Sequence, residues 1–516
     1  MGIPGYFAQA IKNVPRSIKT NVPNVARLFL DFNSAVHRGV TEKATEDSII
    51  NQACETLLEI VDTISPSELI FVAIDGVAPL AKVNQQRSRR YLSQKMKAFT
   101  KSIGAADYTS KENREIFDRN AITPGTEFMT KLCNRLQFET ESIAVSRGIK
   151  AIFSGSSIFG EGEHKILEYI RRNHVDGDTG INCIYGLDAD LIILSMVLVD
   201  QIGSAPCIIR EKNSNEDFEN TEYGNYEYLD VMELIDHISQ SVNKNLSKRH
   251  KILNHVIASF LVGNDFLPPL SYLNIKHGGL EEILEMCETP LCSETGYVIQ
   301  WDSICEVLNK LANKEDTEFM KRDERYWNTK SQVTTNPVVI WDNYPIVNKN
   351  YKMKHISPGK PGWVPRYYEH LFYTNDVSKI VKDYIVGLQW TLDYYTGKYC
   401  KQTPCWQYVH AYSPTAIDVY NYVVANQENI DTIVGDELNK LRIYGYDPEV
   451  ALLMVTPPSS FGILSPKLRS FATDTNFGIA HCFPEDFRIH VYLKRWAHEC
   501  KAIVPPVDID KFSVIL

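Results

Sequence analysis

VARLFLD, residues 25–31, is a mostly apolar run that stops on Asp31. A run of this kind suits a strand buried on both faces of a sheet. LIFVAID, residues 69–75, repeats the design and stops on Asp75, and INCIYGL, residues 181–187, is followed at once by Asp188. GIKAIFS at 148–154 reads as one more strand. Helical spacing fills the intervals: Ile49, Ile50, Cys54, Leu57 and Leu58 within 47–63, then 82–101, then 124–138 opened by Thr123-Pro124, then 163–173. Strands alternating with helices predict an α/β domain with a mainly parallel sheet. In such sheets ligands sit beyond the carboxyl ends of the strands. Asp31, Asp75 and Asp188 all stand there.

Four more acids join this edge: Glu161 and Glu163 of GEGEHK (160–165), Asp190 of GLDAD (186–190), and Asp265 of GNDFLP (263–268). In extended backbone the i, i+2 pairs Glu161/Glu163 and Asp188/Asp190 point one way. Any single one of these acids reads more simply as a cap or a surface group. Carboxylates gathered at one point repel, and only cations relieve them. Hard ions such as Mg²⁺ prefer oxygen ligands, and a pair of them can clamp the attacking and leaving oxygens of a phosphodiester. The pattern predicts a metal-dependent nuclease.

Bulk properties narrow the class. The chain has 516 residues, 44% hydrophobic and 23% charged, with a net charge of −10. That acidity argues against a general polyanion binder. No apolar run approaches the roughly 20 residues a bilayer span requires. The start lacks the pattern of a secretion signal or a myristoylation site. The 11 cysteines include no CxxC pair, and Cys287/Cys292 and Cys400/Cys405 lack zinc-finger partners. They predict reduced thiols of a cytosolic or nuclear protein.

One stretch opposes the overall charge. Residues 82–101 carry Lys82, Arg87, Arg89, Arg90, Lys95, Lys97 and Lys101, and no acid. Lys82, Gln86, Arg89 and Arg90 share one helix face, a row of donors suited to a terminal phosphate. A solvated basic face is the plainer reading. His37 alone reads as structural, and Trp406, in an aromatic run with Tyr394, Tyr395, Tyr399, Tyr408 and Tyr412, reads as core.

Longer blocks carry a resemblance. DGVAPLAKVNQQRSRR (75–90), ITPGTEFM (122–129), GEGEHK (160–165), YGLDAD (185–190) and VGNDFLP (262–268) look like the signature blocks of the XRN 5′→3′ exoribonucleases. So do GWVPRYYEH (362–370), YIVGLQWTLDYYTG (384–397), WQYVHAYSP (406–414) and the opening MGIPGYF. The resemblance implies a PIN/FEN-like α/β nuclease domain with a helical second segment. It implies metal binding by Asp31, Asp75, Glu161, Glu163, Asp188, Asp190 and Asp265, a 5′-monophosphate pocket of Lys82, Gln86, Arg89 and Arg90, and base stacking by His37 and Trp406. It also implies two Mg²⁺ ions, with Mn²⁺ a substitute, and processive hydrolysis of single-stranded 5′-monophosphorylated, decapped RNA to nucleoside monophosphates. The chain departs from the family pattern at Leu80, where an Arg is usual, at Phe32-Asn33-Ser34, and at Pro269.

The expected organisation is a catalytic region at 1–275, an irregular insertion at 276–360, and a mostly helical segment at 361–516 that narrows the entrance. The protein is expected to act as a cytoplasmic monomer in mRNA decay, with no membrane association. A flap-type or PIN-like endonuclease is one alternative, favoured by an open site. A catalytically inert RNA-binding scaffold is the other.

Overall fold

The computed structural model of the chain describes residues 2–3, 5–19, 23–41, 44–103, 117–211, 226–240, 245–372, 374, 376–399, 403–444, 447–507 and 509–514. Seven strands form one sheet: β1 (Ile18–Lys19), β2 (Val25–Asp31), β3 (Leu69–Ala73), β4 (Lys150–Ser154), β5 (Ile181–Tyr185), β6 (Cys207–Glu211) and β7 (Tyr226–Asp230). Their order across the sheet is β1-β7-β6-β5-β2-β3-β4. β2 pairs in parallel with both β3 and β5, β3 with β4, and β5 with β6. Only β7 and β1 run antiparallel, at one edge. The expected α/β class and mainly parallel sheet are present. β1, β6 and β7 were not singled out in the sequence: Ile208, Ile209, Tyr228 and Leu229 are buried in the two core layers, but Arg210, Glu211 and Glu227 interrupt any continuous apolar run.

Alternate residues of the central strands serve two layers, as a period of two demands. Leu28, Leu30, Ile70 and Val72 pack with Leu57 and Leu132, from helices Glu46–Ile64 and Glu127–Arg147. Phe29, Phe71 and Ile184 face the other way, onto helices Gly162–Asn173, Asp190–Ile202 and Lys248–Leu261. That second cluster continues into helix Val377–Tyr395 through Leu388, Trp390 and Leu392. The helical second segment is therefore packed directly on the sheet domain's own core.

Two expectations need correction. The Pro-opened helix starts at Glu127 rather than 124, capped by Thr126, whose hydroxyl accepts from the Met129 amide. Residues 276–360 are not irregular: they hold a 28-residue helix, Trp301–Asn328, and shorter ones at Gly279–Met286 and Pro337–Asp342. The charged run at 313–325 is mostly its outer face. Its inner stripe of Ile304, Leu308, Leu311 and Phe319 is interrupted by Glu315, which is buried. Glu315 accepts from the amides of Ala416 and Ile417, at the start of helix Ala416–Ala425, at 2.7 and 3.1 Å. A carboxylate can replace an apolar residue there because it caps a neighbouring helix.

Candidate active site

β2 leads the chain to β3 on one side, while β5 leads it to β6 on the other. Diverging connections open a crevice at the carboxyl ends of β2 and β5. Asp31 closes β2 in register with Ala73, so Asp75 stands two residues further on beside it. Asp188 follows Tyr185, the last residue of β5.

Local hydrogen bonds fix the acids. Asn33 Nδ2 donates to Asp75 Oδ2 at 2.8 Å, and its Oδ1 accepts from the Asp75 amide at 3.2 Å. The Gly162 amide donates to Asp75 Oδ1 at 2.7 Å. A side chain at Gly162 would overlap Asp31 Oδ1, so only glycine lets the GEGEHK turn come this close. Oxygens of Glu163, Asp188 and Asp190 lie within 4.8 Å of one another, and donor atoms of Glu161, Glu163 and His164 meet the same limit. Tyr394, from the second segment, donates to Glu161 Oε2 at 2.9 Å.

Six of the seven acids line one cavity of about 410 Å³. Its walls include Asp31, Asp75, Glu161, Glu163, Asp188 and Asp265, and also Lys82, Gln86, Arg89, Arg90 and His37. Asp190 is buried just behind, beside Glu163 and Asp188. Residues expected from five separate stretches of chain are thus brought together.

Burial and mutual repulsion act on several of these acids. Burial, then Asp75 and Asp188, raises the Asp31 pKa well above the carboxylate range. Burial, then Asp190 and Glu161, does the same to Glu163. Burial, then Asp188, pushes Asp190 from 3.8 up to about 7. Asp31 Oδ1, Glu163 Oε2 and Asp190 Oδ1 are buried with no hydrogen-bond partner. Orphaned buried carboxylate oxygens cost free energy unless something positive meets them. An all-oxygen donor set of this kind fits a hard divalent cation.

The basic helix Leu80–Ser102 divides its work. Lys82 turns its ammonium to the acids, 2.8 Å from both Glu161 Oε1 and Asp265 Oδ2. Burial works against its charge, but Asp265 and Glu161 outweigh it and hold the pKa well above the ordinary value. Arg87 is buried and donates to the carbonyls of Met454 and Cys482, tying the helix to the second segment. Arg89 is exposed in the cavity, and Arg90 donates to Thr123 Oγ1 at 2.5 Å. His37 stands exposed at the mouth. Desolvation first, then Arg119, Arg89 and Arg90, pushes its pKa down to about 4, so the imidazole is neutral.

Trp406 is 5% exposed and is not among the residues that line the cavity. Its ring lies 5.0 Å from that of Trp390, in space left by the missing side chain of Gly387. The aromatic run is core at this point. Leu80 is likewise buried, packed with Val77, Leu452 and Leu453. Asn33, Arg119, Thr123 and Tyr394 belong to the site or its wall but were not singled out for it in the sequence. Only Asn33, two residues past Asp31, carried a positional hint.

Among the described residues no helix is long and apolar enough to cross a membrane. The family profile described as XRN 5'-3' exonuclease N-terminus matches residues 1–212. The profile described as Xrn1 helical domain matches residues 248–357 and 345–513. The 5'-3' exoribonuclease 1 of Saccharomyces cerevisiae is 33% identical over 63% of this chain and 23% of its own length. That of Homo sapiens is 26% identical over 98% of this chain and 33% of its own. The 5'-3' exoribonuclease 2 of Gallus gallus is 25% identical over 100% of this chain and 70% of its own. The chain thus spans only 23% and 33% of the exoribonuclease 1 proteins it matches. The catalytic core of Rad2 in complex with DNA substrate aligns with a TM-score of 0.32 at 11% identity, over 65% of this chain and 83% of that one.

Proposed function

Because the chain belongs to the XRN 5′→3′ exonuclease family, we propose that it hydrolyses single-stranded RNA stepwise from a 5′ monophosphate, releasing nucleoside monophosphates. The observation that carries this reading is the single cavity holding both the acid cluster and the cationic face of the basic helix. Two opposite charge requirements in one enclosure fit a substrate whose terminal phosphate is held while the next phosphodiester is cut.

Asp31, Asp75, Glu161, Glu163, Asp188, Asp190 and Asp265 would hold two Mg²⁺ ions, with Mn²⁺ a substitute. Bound there, such ions supply a Lewis-acidic charge that activates water and stabilises the leaving 3′ oxygen. Gln86, Arg89 and Arg90 bind the 5′ phosphate, Arg by forked charge-assisted bonds. Lys82, anchored to Glu161 and Asp265, balances the acids and carries positive charge toward the incoming phosphate. Neutral His37 offers a flat ring to the terminal base, a sequence-tolerant contact worth about 1–3 kcal/mol. Tyr394 ties the second segment to Glu161 of the acid cluster, a contact that supports an exonuclease over an endonuclease whose acids stand clear of any second segment. We place the activity in cytoplasmic turnover of decapped RNA, by a monomer.

The test is product sizing. Incubated with Mg²⁺, 5′-monophosphate RNA should yield mononucleotides, whereas triphosphate and capped RNA should persist. Oligonucleotide products would establish the endonuclease instead, and intact monophosphate RNA the inert scaffold.

A further inference from the structure

Three guanidinium groups, not two, stand at the mouth of the cavity. Arg119 lines it with Arg89, Arg90 and His37, yet comes from a different element, the turn Arg119–Ala121. That turn is pinned by Asp118, whose carboxylate accepts from the Asn120 amide at 3.0 Å. Arg119 itself donates one N–H to the Val40 carbonyl at 2.7 Å and is otherwise exposed. One bond of a five-donor fork fixes the group's position and leaves the other donors for a ligand. Its charge is also the strongest acting on His37.

Like charges brought together repel, and Asp118 offsets only part of this charge, through Arg90. Arg90 supplies a second observation: its Nη1 is buried without a hydrogen-bond partner. A phosphate dianion offers three oxygens to such donors. We propose that Arg119 is a further specificity-determining residue, which closes on the 5′ phosphate from the side opposite in sequence to the basic helix and makes the pocket a three-arginine clamp. This assignment rests on the 5′-monophosphate reading above. The clamp draws on two elements that both line the cavity, so a 5′ phosphate is gripped by both and a 5′ hydroxyl by neither.

The test compares Arg119→Gln, Arg119→Lys and Arg89→Ala on 5′-monophosphate and 5′-hydroxyl RNA of one sequence. Gln keeps a donor for the Val40 carbonyl while removing the charge, which separates recognition from folding. Arg119→Gln should lower the monophosphate-to-hydroxyl ratio of kcat/KM about tenfold, mainly through KM, and reduce the salt dependence of KM by about one phosphate contact. Arg119→Lys, which keeps the charge and loses the fork, should fall between Gln and wild type. An unchanged ratio in Arg119→Gln beside a collapsed ratio in Arg89→Ala overturns the assignment of Arg119 alone. Unchanged ratios in both overturn the phosphate pocket on which it rests.

Discussion

The floor and the mouth of the cavity are built on opposite plans. The floor is made of acids delivered by strand ends and turns, with Asp75 held by Gly162 and Asn33 and Glu161 by Tyr394. The mouth is made of long cationic side chains on a helix and a turn, several of them exposed. A metal site needs oxygens placed within tenths of an ångström, which backbone-anchored short side chains provide. Phosphate capture needs reach and charge, which Arg and Lys provide at some entropic cost. Lys82 is the hinge between the two: it grows from the helix of the mouth and ends on the acids of the floor.

Disturbing the floor should cost the most. Asp188→Ala should abolish hydrolysis, a loss of at least about a thousandfold, while a gel-shift assay still detects RNA binding. Retained turnover would remove Asp188 from the metal site. Gly162→Ala should cost almost as much, because the added carbon displaces Asp31; normal rates with an unchanged melting temperature would contradict that packing.

Lys82→Met should act on stability before chemistry. Removing the cation shared by Glu161 and Asp265 in a buried site costs about 3–5 kcal/mol, read as a lower melting temperature in chelator, and Mg²⁺ should restore most of it. A fall that Mg²⁺ does not reverse would mean that Lys82 only packs.

pH gives a smaller effect with a definite sign. Asp190 has its folded pKa raised from 3.8 to about 7. A raised folded value favours the protonated form, so its contribution to stability is present below about pH 4 and is lost as pH rises through about 7. In chelator, melting temperature should therefore fall across this window, and Mg²⁺ should flatten the fall. A rise in chelator would contradict the crowding of the acids. Trp406→Phe should have the smallest functional effect: some loss of stability from the gap beside Trp390, with the monophosphate-to-hydroxyl ratio intact. A changed ratio would put Trp406 on the substrate path.

The floor was largely legible in the sequence and the mouth only partly. Asp31, Asp75 and Asp188 announce themselves because buried parallel strands are continuous apolar runs, and a charge that ends one lies at the sheet's carboxyl edge. The basic stripe of 82–101 was visible for the same reason of periodicity. That Lys82 would face the acids and Arg87 the carbonyls of Met454 and Cys482 was not, since helical spacing gives a face but not what packs on it. Arg119 stood alone on a turn with no period to mark it. Tyr394 and Trp406 lie in one aromatic run, and only the tertiary fold sends the first to Glu161 and the second into the core. Helix Trp301–Asn328 was hidden by Glu315, a charge on the inner stripe whose partners are a hundred residues away in sequence.

The most direct test is an anomalous diffraction map from crystals grown with Mn²⁺ and a 5′-phosphorylated oligoribonucleotide whose first linkage is non-hydrolysable. Manganese peaks among Asp31, Asp75, Glu163, Asp188 and Asp190, with the terminal phosphate within hydrogen-bond reach of Arg89 and Arg90, are the predicted result. Manganese found elsewhere, or an RNA end seated away from these arginines, would contradict a single cavity that combines metal and phosphate recognition.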